Sequence, residues 1–329
     1  MKHIKHLKTL LVVLSAALCL AQFVSCGAQG SSGSNDADNG PENAADWTAV
    51  TVKDDLGREV TITREPKKVA ALMGSFAEVW MLAGGKVAAT VKDAWEDFGL
   101  DLGDDVKNLG TYMSVSLEAL FDCEADLVIA SSKTKNHIAL KDQLERAGVN
   151  VLYFDGSSFE SYLSMLKRCT RITGRADLYE QNGVKVAEQV GAVKQAAEKA
   201  AKEQGAPRVL LLRIAASNVR AKGSSDTVLG LMLADLGCEN IADGSDLLED
   251  LSLEKIIIED PDRILIVQQG SDSEGAEKLL KETLTGNPAW AGLTAVKEGR
   301  VHRMERSLYH FKPNVRWGTA YEKLEKILY

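Results

Sequence analysis

Five cationic side chains lie in or beside polar stretches of a chain that is acidic overall. The formal net charge is −8 at pH 7, and these cations are Arg213, Arg220, Lys222, Lys312 and Arg316. Guanidinium and ammonium groups hold anionic groups through charge-assisted hydrogen bonds. We expect Arg213 and Arg316 to bind an anionic small molecule, because the first directly follows a predicted strand and the second lies in an aromatic loop. The alternative is that most of these cations are surface charges paired with local acids.

Aromatic side chains in similar stretches suit a flat or aromatic ligand. The candidates are Trp95, Tyr112, Tyr309 and Trp317. Trp95 and Tyr309 rank highest, because polar loops make their burial difficult. The competing interpretation places all four in the core, where aromatic residues are found more often.

Three further side chains carry groups that are able to ligate haem iron axially, namely Met73, Tyr112 and His310. The histidines that follow residue 26 are His137, His302 and His310, and they are far apart in the sequence. This spacing argues against a direct zinc or manganese site, which needs clustered histidines and carboxylates. We therefore predict no metal held by the protein itself and no resident cofactor.

Two glutamates stand in matching Ser-Leu-Glu triplets. Glu254 lies 136 positions after Glu118, and an apolar strand follows each triplet. Two like charges at equivalent places suit a pseudo-symmetric partner. The residues alone favour a local role, because Ser116 and Ser252 are good N-caps and a first-turn glutamate is favoured by the helix dipole.

The repetition extends beyond the triplets. The predicted strand Lys68–Leu72 is echoed by Arg208–Leu212, and Leu127–Ala130 is echoed by Arg263–Val267. A repeated order of strand, helix and strand predicts two α/β lobes of one design.

One long helix is predicted between the repeats. Ala176–Gly205 consists of good helix formers with an apolar stripe, and Pro207 follows it. The predicted fold class is therefore α/β, with two Rossmann-like lobes (residues 47–175 and 206–329) joined by this helix (176–205). The ligand cleft is expected between the lobes.

Ligands of open α/β sheets bind beyond the carboxyl ends of the strands. Applied to the predicted strands, this rule selects side chains from both lobes that should face each other across the cleft. The predicted ligand-binding set is Met73, Trp95, Tyr112, Ser131, Arg213, Gln268, Tyr309, Arg316 and Trp317.

The amino terminus has the features of a targeting signal. Residues 1–25 combine a basic start with an apolar stretch that is too short to span a bilayer. Ser25 followed by Cys26 resembles a bacterial lipobox, so we expect Cys26 to be lipidated and to become the mature amino terminus. Residues 26–46 are rich in Gly, Ser, Asn and Asp and predict a flexible tether. An ordinary secretory signal with an incidental cysteine is the alternative.

Other function classes receive little support. The body has no nucleophile elbow, P-loop or dinucleotide-binding glycine motif, which argues against an enzyme. The acidic charge argues against nucleic-acid binding. Cys123, Cys169 and Cys238 lack metal-binding spacing and are interpreted as small buried hydrophobes. A structural or adhesive surface protein would not need a duplicated cleft.

Taken in order, several segments resemble the substrate-binding lipoproteins of bacterial ABC importers for ferric siderophores, cobalamin and haem. The resemblance covers nearly the whole chain after the tether. The segments that carry it are DDLGREVTI, KKVAAL before Gly74, NLGTYMSVSLEAL, ADLVIA, LSLEKIIIEDPDRILIV and NPAWAGLTAVKEGRVHRM.

The resemblance implies a monomeric, lipid-anchored, extracytoplasmic binding protein that catalyses nothing. It implies capture of a small-molecule metal chelate, with a ferric siderophore preferred and haem or cobalamin as the alternative. It also implies delivery to a permease dimer with its ATPase. With the resemblance taken into account, Glu118 and Glu254 are expected to dock on the permease rather than act only within their helices.

Overall fold

The computed structural model describes residues 47–248 and 250–329. The first lobe opens with a hairpin, β1 (Val50–Lys53) and β2 (Glu59–Ile62). Its remaining strands are β3 (Val69–Ala71), β4 (Ala89–Thr90), β5 (Lys107–Asn108), β6 (Gly110–Thr111), β7 (Ser114–Val115), β8 (Leu127–Ser131) and β9 (Asn150–Phe154). Its helices are α1 (Gly74–Leu82), α2 (Asp93–Glu96), α3 (Leu117–Asp122), α4 (Lys135–Ala139), α5 (Lys141–Arg146) and α6 (Phe159–Thr173).

Five strands of the first lobe form one parallel sheet in the order β5-β4-β3-β8-β9. Every residue of the central strands β3 and β8 is buried. A parallel sheet is covered by helices on both faces, so its strands are apolar throughout rather than alternating.

The second lobe follows the same plan. Its strands are β10 (Arg208–Ala215), β11 (Asn218–Ala221), β12 (Glu239–Asn240), β13 (Arg263–Gln268) and β14 (Val301–Met304). Its helices are α9 (Val228–Asp235), α10 (Leu253–Glu259), α11 (Ser273–Leu280), α12 (Thr294–Lys297), α13 (Arg306–Tyr309) and α14 (Trp317–Leu328). β10 pairs in parallel with β13 and β12, β13 pairs in parallel with β14, and β11 folds back on β10 as an antiparallel hairpin.

The two sheets are equivalent at their centres, which confirms the predicted two-lobe α/β architecture. β3 pairs with β8 as β10 pairs with β13, through Val69 with Leu127 and Val209 with Arg263. The helices that precede β8 and β13 are capped alike. Ser116 Oγ accepts the Ala119 N–H at 3.2 Å, and Ser252 Oγ accepts the Lys255 N–H at 3.4 Å.

The connection between the lobes is helical from Ala176 to Gln204, but it is not a uniform α-helix. It consists of α7 (Ala176–Tyr179), a π-helical turn (Glu180–Val184) and α8 (Lys185–Gln204). A π-helical turn leaves backbone groups free for other partners. The carbonyl of Asn182 accepts the Tyr162 hydroxyl at 2.6 Å, and its side chain donates to the carbonyl of Leu82 at 2.8 Å. The widened turn therefore fastens the connection to the first lobe.

The carboxyl-terminal helix joins the lobes through a shared hydrophobic core. Trp317 on α14 is 1% exposed, and its ring centroid lies 5.6 Å from that of Phe159 on α6. Tyr321, one turn later, lies 6.4 Å from the same phenylalanine. Within residues 47–248 and 250–329, no helix combines the length and hydropathy that crossing a membrane requires.

Candidate ligand cleft

A cavity of about 550 Å³ lies between the lobes. The first lobe lines it with the turn from β3 to α1, with α2 and the residues after it, and with the loops at Tyr112 and at Ser157. The second lobe contributes the ends of β10 and β13, the start of α9 and the segment around residues 309–312. The carboxyl ends of the parallel strands thus meet at this cavity, as the topology of open α/β sheets requires.

Four of the nine predicted ligand-binding residues line this cavity. They are Met73, Tyr112, Arg213 and Tyr309. Tyr309 contributes mainly its ring, because its hydroxyl already donates to the Ala320 carbonyl at 3.0 Å. Burial raises the pKa of this hydroxyl, so it stays neutral.

Three predicted residues lie outside the cavity lining. Trp95 is half-buried on the one-turn helix α2 rather than in a loop. Ser131 is buried, with its Oγ accepting the Lys133 N–H at 3.1 Å. Gln268 turns away, because successive side chains of a strand alternate between faces and its neighbours Val267 and Gln269 line the cavity instead.

Arg316 and Trp317 are also drawn away from the cavity. The Arg316 guanidinium lies 3.7 Å from the Glu78 carboxylate and donates to the Pro313 carbonyl at 3.3 Å. Trp317 was expected in the cleft, but the structure places it in the shared core as the first residue of α14. The segment around Arg316, which was predicted to be an aromatic loop, instead forms α13, a 3₁₀ turn (Asn314–Arg316) and the start of α14.

Lys312, one of the five cations named from the sequence but not selected as a ligand contact, lines the cavity. Its Nζ lies 3.9 Å from the sulfur of Met73 and 5.2 Å from the ring centroid of Phe76, both on the first lobe. Burial lowers the pKa of Lys312 to about 8. Arg213 is in a similar state, since its Nε is buried without a partner in the described part of the chain and burial lowers its pKa. Neither cation forms an ion pair with a described residue.

The carboxylates in the cavity lining, by contrast, already have donors. Asp93 accepts the Gly74 N–H at 3.2 Å through both oxygens, and Asp226 accepts the Gly223 N–H at 2.9 Å. Asp97 lies 3.7 Å from the guanidinium of Arg306. Burial raises the pKa of Asp93 to about 6. Asp93 and Asp155 act to raise the pKa of Lys312, and Asp226 acts to raise that of Arg213, but none of these carboxylates comes within ion-pair distance of the cation.

Three helices also begin at the cavity. α1 starts after Met73, Ser158 caps α6 by accepting the Ser161 N–H, and Thr227 caps α9 by accepting the Gly230 N–H. A helix amino terminus carries a partial positive charge. Among the described residues, no group of three or more His, Cys, Asp or Glu side chains is placed to hold a metal ion.

Aromatic side chains frame the same space. The rings of Phe98 from the first lobe and Phe311 from the second lie 5.6 Å apart. His310 packs against Phe311 with ring centroids 5.0 Å apart, and burial lowers its pKa to about 4. Phe98 and Phe311 were not among the residues predicted to bind the ligand.

The other predicted sites lie away from the cavity. Glu118 and Glu254 are exposed in the first turns of α3 and α10. Cys26, the signal of residues 1–25 and the tether of residues 26–46 lie outside the described residues.

Comparison with known proteins gives consistent matches over most of the chain. It is 25% identical over 304 residues to the uncharacterized ABC transporter substrate-binding lipoprotein YvrC of Bacillus subtilis, covering 89% of each chain. It is 24% identical over 302 residues to the Fe(3+)-citrate-binding protein YfmC of the same species, covering 91% of this chain and 90% of that protein.

The fold is similar to that of Staphylococcus aureus SirA complexed with staphyloferrin B. The TM-score is 0.66 at 22% identity, over 84% of this chain and 98% of that chain. The family model described as periplasmic binding protein matches residues 69–308, and this match confirms the resemblance found in the sequence. The chain belongs to the periplasmic binding protein family.

Proposed function

We propose that the protein captures an anionic iron chelate, a ferric siderophore, and delivers it to the permease dimer and ATPase of an ABC importer. The observation that carries the proposal is the pair of cations in the cleft, Arg213 and Lys312, which lack carboxylate partners among the described residues. The names of the Fe(3+)-citrate-binding relative and of the staphyloferrin B complex support this ligand class. Members of this family bind solutes and are not enzymes, so the chain is a binding protein.

The two cleft cations without an ion pair among the described residues support an anionic rather than a cationic ligand. Removing a cation from water is costly unless an anion or a set of hydrogen bonds compensates for it. Arg213 and Lys312 form no ion pair with a described residue, and the nearby Asp93 and Asp226 accept backbone N–H groups instead. An anionic ligand would supply the missing partner and would also meet the positive ends of α1, α6 and α9.

The size and lining of the cleft suit one small chelate. Ligand pockets generally have volumes of about 300 to 1,000 Å³, and this cavity has about 550 Å³. Phe98, Phe311 and Tyr112 offer aromatic surface, and Ser157 and Ser225 offer hydroxyl groups. We therefore propose Met73, Tyr112, Arg213, Tyr309 and Lys312 as contacts of the chelate.

A haem or cobalamin ligand is the second candidate. Its support is that Met73, Tyr112 and His310, the three possible axial ligands, all line the one cavity. The lowered pKa of His310, about 4, keeps its imidazole neutral at neutral pH, which is the form that ligates iron.

The location and partners are proposed together. Cys26 would carry the lipid anchor that holds a monomeric protein outside the cytoplasmic membrane, and a lipoprotein relative supports this arrangement. Glu118 and Glu254, one on each lobe, would dock against cationic side chains of the two permease subunits.

The test is calorimetric titration of residues 46–329, whose described part forms one compact unit, with ferric citrate, a ferric catecholate, haemin and cobalamin. We expect saturable binding of one ferric chelate that weakens at least about tenfold in Arg213→Ala, since a hydrogen bond to a charged group contributes about 1.5 to 3 kcal/mol. The matched control is Lys67→Ala, an exposed lysine paired with Glu65. Saturation by haemin or cobalamin, with no response to ferric chelates, would show that the ligand is not a ferric siderophore.

A further inference from the structure

Exposed large apolar side chains are concentrated on two short helices. In residues 47–248 and 250–329 they are Leu56, Tyr112, Met113, Phe121, Ile257 and Ile258. Half of them lie on α3 and α10, where Phe121 is 42% exposed, Ile257 is 39% exposed and Ile258 is 80% exposed. Single exposed hydrophobic residues are normal on protein surfaces, so their arrangement is what matters here.

These residues occupy equivalent places on the two lobes. Phe121 lies three residues after Glu118, and Ile257 lies three residues after Glu254. Residues three or four apart share one face of a helix. Each lobe therefore presents one acidic and one apolar side chain together, at positions that are 136 residues apart in both cases.

The two glutamates are also the acids of these helices that have no internal ion pair among the described residues. Asp122, on the same helix as the first glutamate, pairs with Lys107 at 3.5 Å. Glu259, on the same helix as the second, pairs with Arg208 at 2.7 Å. The acid without an ion pair on each helix therefore stands beside an exposed apolar side chain, and neither has a partner in the part of the chain that the structure describes.

The first lobe adds a crevice to its apolar side chain. A cavity of about 270 Å³ opens beside Phe121 and is lined by Leu120, Leu144 and Val149, with Glu124 and Asp126 also in the lining. This lining combines apolar and charged side chains, Arg64 among them, and a surface crevice of this kind can accept an anchoring side chain of a protein partner.

We propose that Phe121 with its crevice, and Ile257 with Ile258, are the apolar contacts of a two-part docking surface whose occupant is the permease dimer. This inference rests on the proposed function, because it takes the importer as the partner. Two equivalent patches on two equivalent lobes match a partner that presents one surface twice. Each permease subunit would offer a cationic group to the glutamate and an apolar surface to the neighbouring side chain.

The glutamates and the apolar side chains should contribute differently to binding of the permease. Exposed charges act over a distance and are screened by salt, whereas apolar contacts act only when they are buried. The glutamates would therefore mainly raise the association rate, and the apolar side chains would mainly slow dissociation.

The experiment measures binding of the full-length lipoprotein to its permease–ATPase complex in lipid nanodiscs, at low and at high salt. The variants are Phe121→Ala, the pair Ile257→Ala with Ile258→Ala, and Glu118→Lys with Glu254→Lys. Leu56→Ala is the matched control, since Leu56 is 37% exposed on the turn of the β1–β2 hairpin. Ile258→Gln alone provides a second test, because a side chain that is 80% exposed contributes little to folding.

We expect each apolar variant to dissociate from the permease at least about fivefold faster, with little dependence on salt. The glutamate variants should associate more slowly, with the difference shrinking at high salt, and all variants should keep the wild-type affinity for the ligand. Apolar variants that bind like the wild type, while the glutamate variants do not, would overturn this inference and leave the docking role of the glutamates standing. If the glutamate variants bind the permease normally, the proposed docking role of Glu118 and Glu254 is wrong.

A further outcome identifies a different occupant. If the apolar substitutions change the sedimentation of the purified protein from a dimer to a monomer, the patches join two copies of this chain. That result would overturn the permease assignment.

Discussion

The side chain of Asn314 in the second lobe donates a 2.6 Å hydrogen bond to the carboxylate of Glu78 in the first lobe. The same amide donates to the carbonyl of Ser75 at 3.0 Å, and Arg316 approaches the other carboxylate oxygen of Glu78 at 3.7 Å. Asn314 is buried and has a φ of 51°, a left-handed conformation that asparagine tolerates better than most residues. This contact fastens the segment that carries Lys312 to the first turns of α1, beside the cleft.

Loss of that amide should destabilise the protein. Asn314→Gly keeps the positive φ accessible but removes the side-chain donor to the carbonyl of Ser75 and to the half-buried carboxylate of Glu78. We expect the free energy of unfolding, measured by urea titration, to fall by about 1 to 3 kcal/mol. Asn136→Ala is the control, since Asn136 is exposed and hydrogen-bonds only to the Met113 carbonyl. Wild-type stability in Asn314→Gly would show that the interlobe hydrogen bonds contribute nothing net.

The charge of Lys312 should make ligand affinity depend on pH. Because burial lowers the pKa of Lys312 to about 8, the free protein loses this cation as the pH rises through about 8. Affinity for an anionic chelate should therefore fall between about pH 7 and about pH 9 in the wild type. Lys312→Met keeps the apolar stem over Phe76, and calorimetry should find weaker binding with a flatter profile over this range. An equally steep profile in Lys312→Met would assign the titration to another group.

Asp93 should make stability depend on pH in the acidic range. Burial raises its pKa from 3.8 to about 6, so the folded protein holds this proton more tightly than the unfolded chain does. Stability contributed by the protonated form is thus fully present below 3.8 and is lost as the pH rises to about 6. In denaturant titrations at several pH values, the stability of the wild type should fall relative to Asp93→Asn across that window. A constant difference between the two proteins would contradict this account.

The position of Gly156 should tolerate no side chain. Its φ is 59°, and an added Cβ would lie 2.5 Å from the ring of Phe76 and 3.6 Å from Cε of Lys312. Phe76 is buried and packs edge-on against Phe154, so it has little room to move. Gly156→Ala should therefore lower both stability and ligand affinity.

The matched control for this substitution is Gly148→Ala. Gly148 has a φ of 75° but open space around its Cβ position, so alanine there adds backbone strain of about 1 to 2 kcal/mol without a clash. Urea titration and calorimetry of the two variants separate strain from steric displacement. Equal stability and equal ligand affinity in the two variants would exclude a steric role for Gly156.

Much of the cleft could be predicted from strand order, and the residues that were placed incorrectly share a common cause. Met73, Tyr112 and Arg213 lie at strand ends or in the turns that follow them, so topology alone brings them to the cavity. Gln268 was chosen one position too early, because the face on which a strand residue lies depends on register. Of the two cations at 312 and 316, the prediction selected Arg316, but only the packing of that segment against α1 decides which one meets Glu78 and which one lines the cavity.

The sequence by itself determined the two-lobe α/β plan, the long connection and the capped helices that carry Glu118 and Glu254. These features depend on local periodicity, capping residues and repetition, all of which are short-range properties of the chain. Only the tertiary structure decided that Trp317 belongs to the core and that Lys312, rather than Arg316, joins Arg213 as a cleft cation with no ion pair among the described residues. The reason is that burial and charge pairing depend on residues distant in the sequence, such as Phe159 against Trp317 and Glu78 against Arg316.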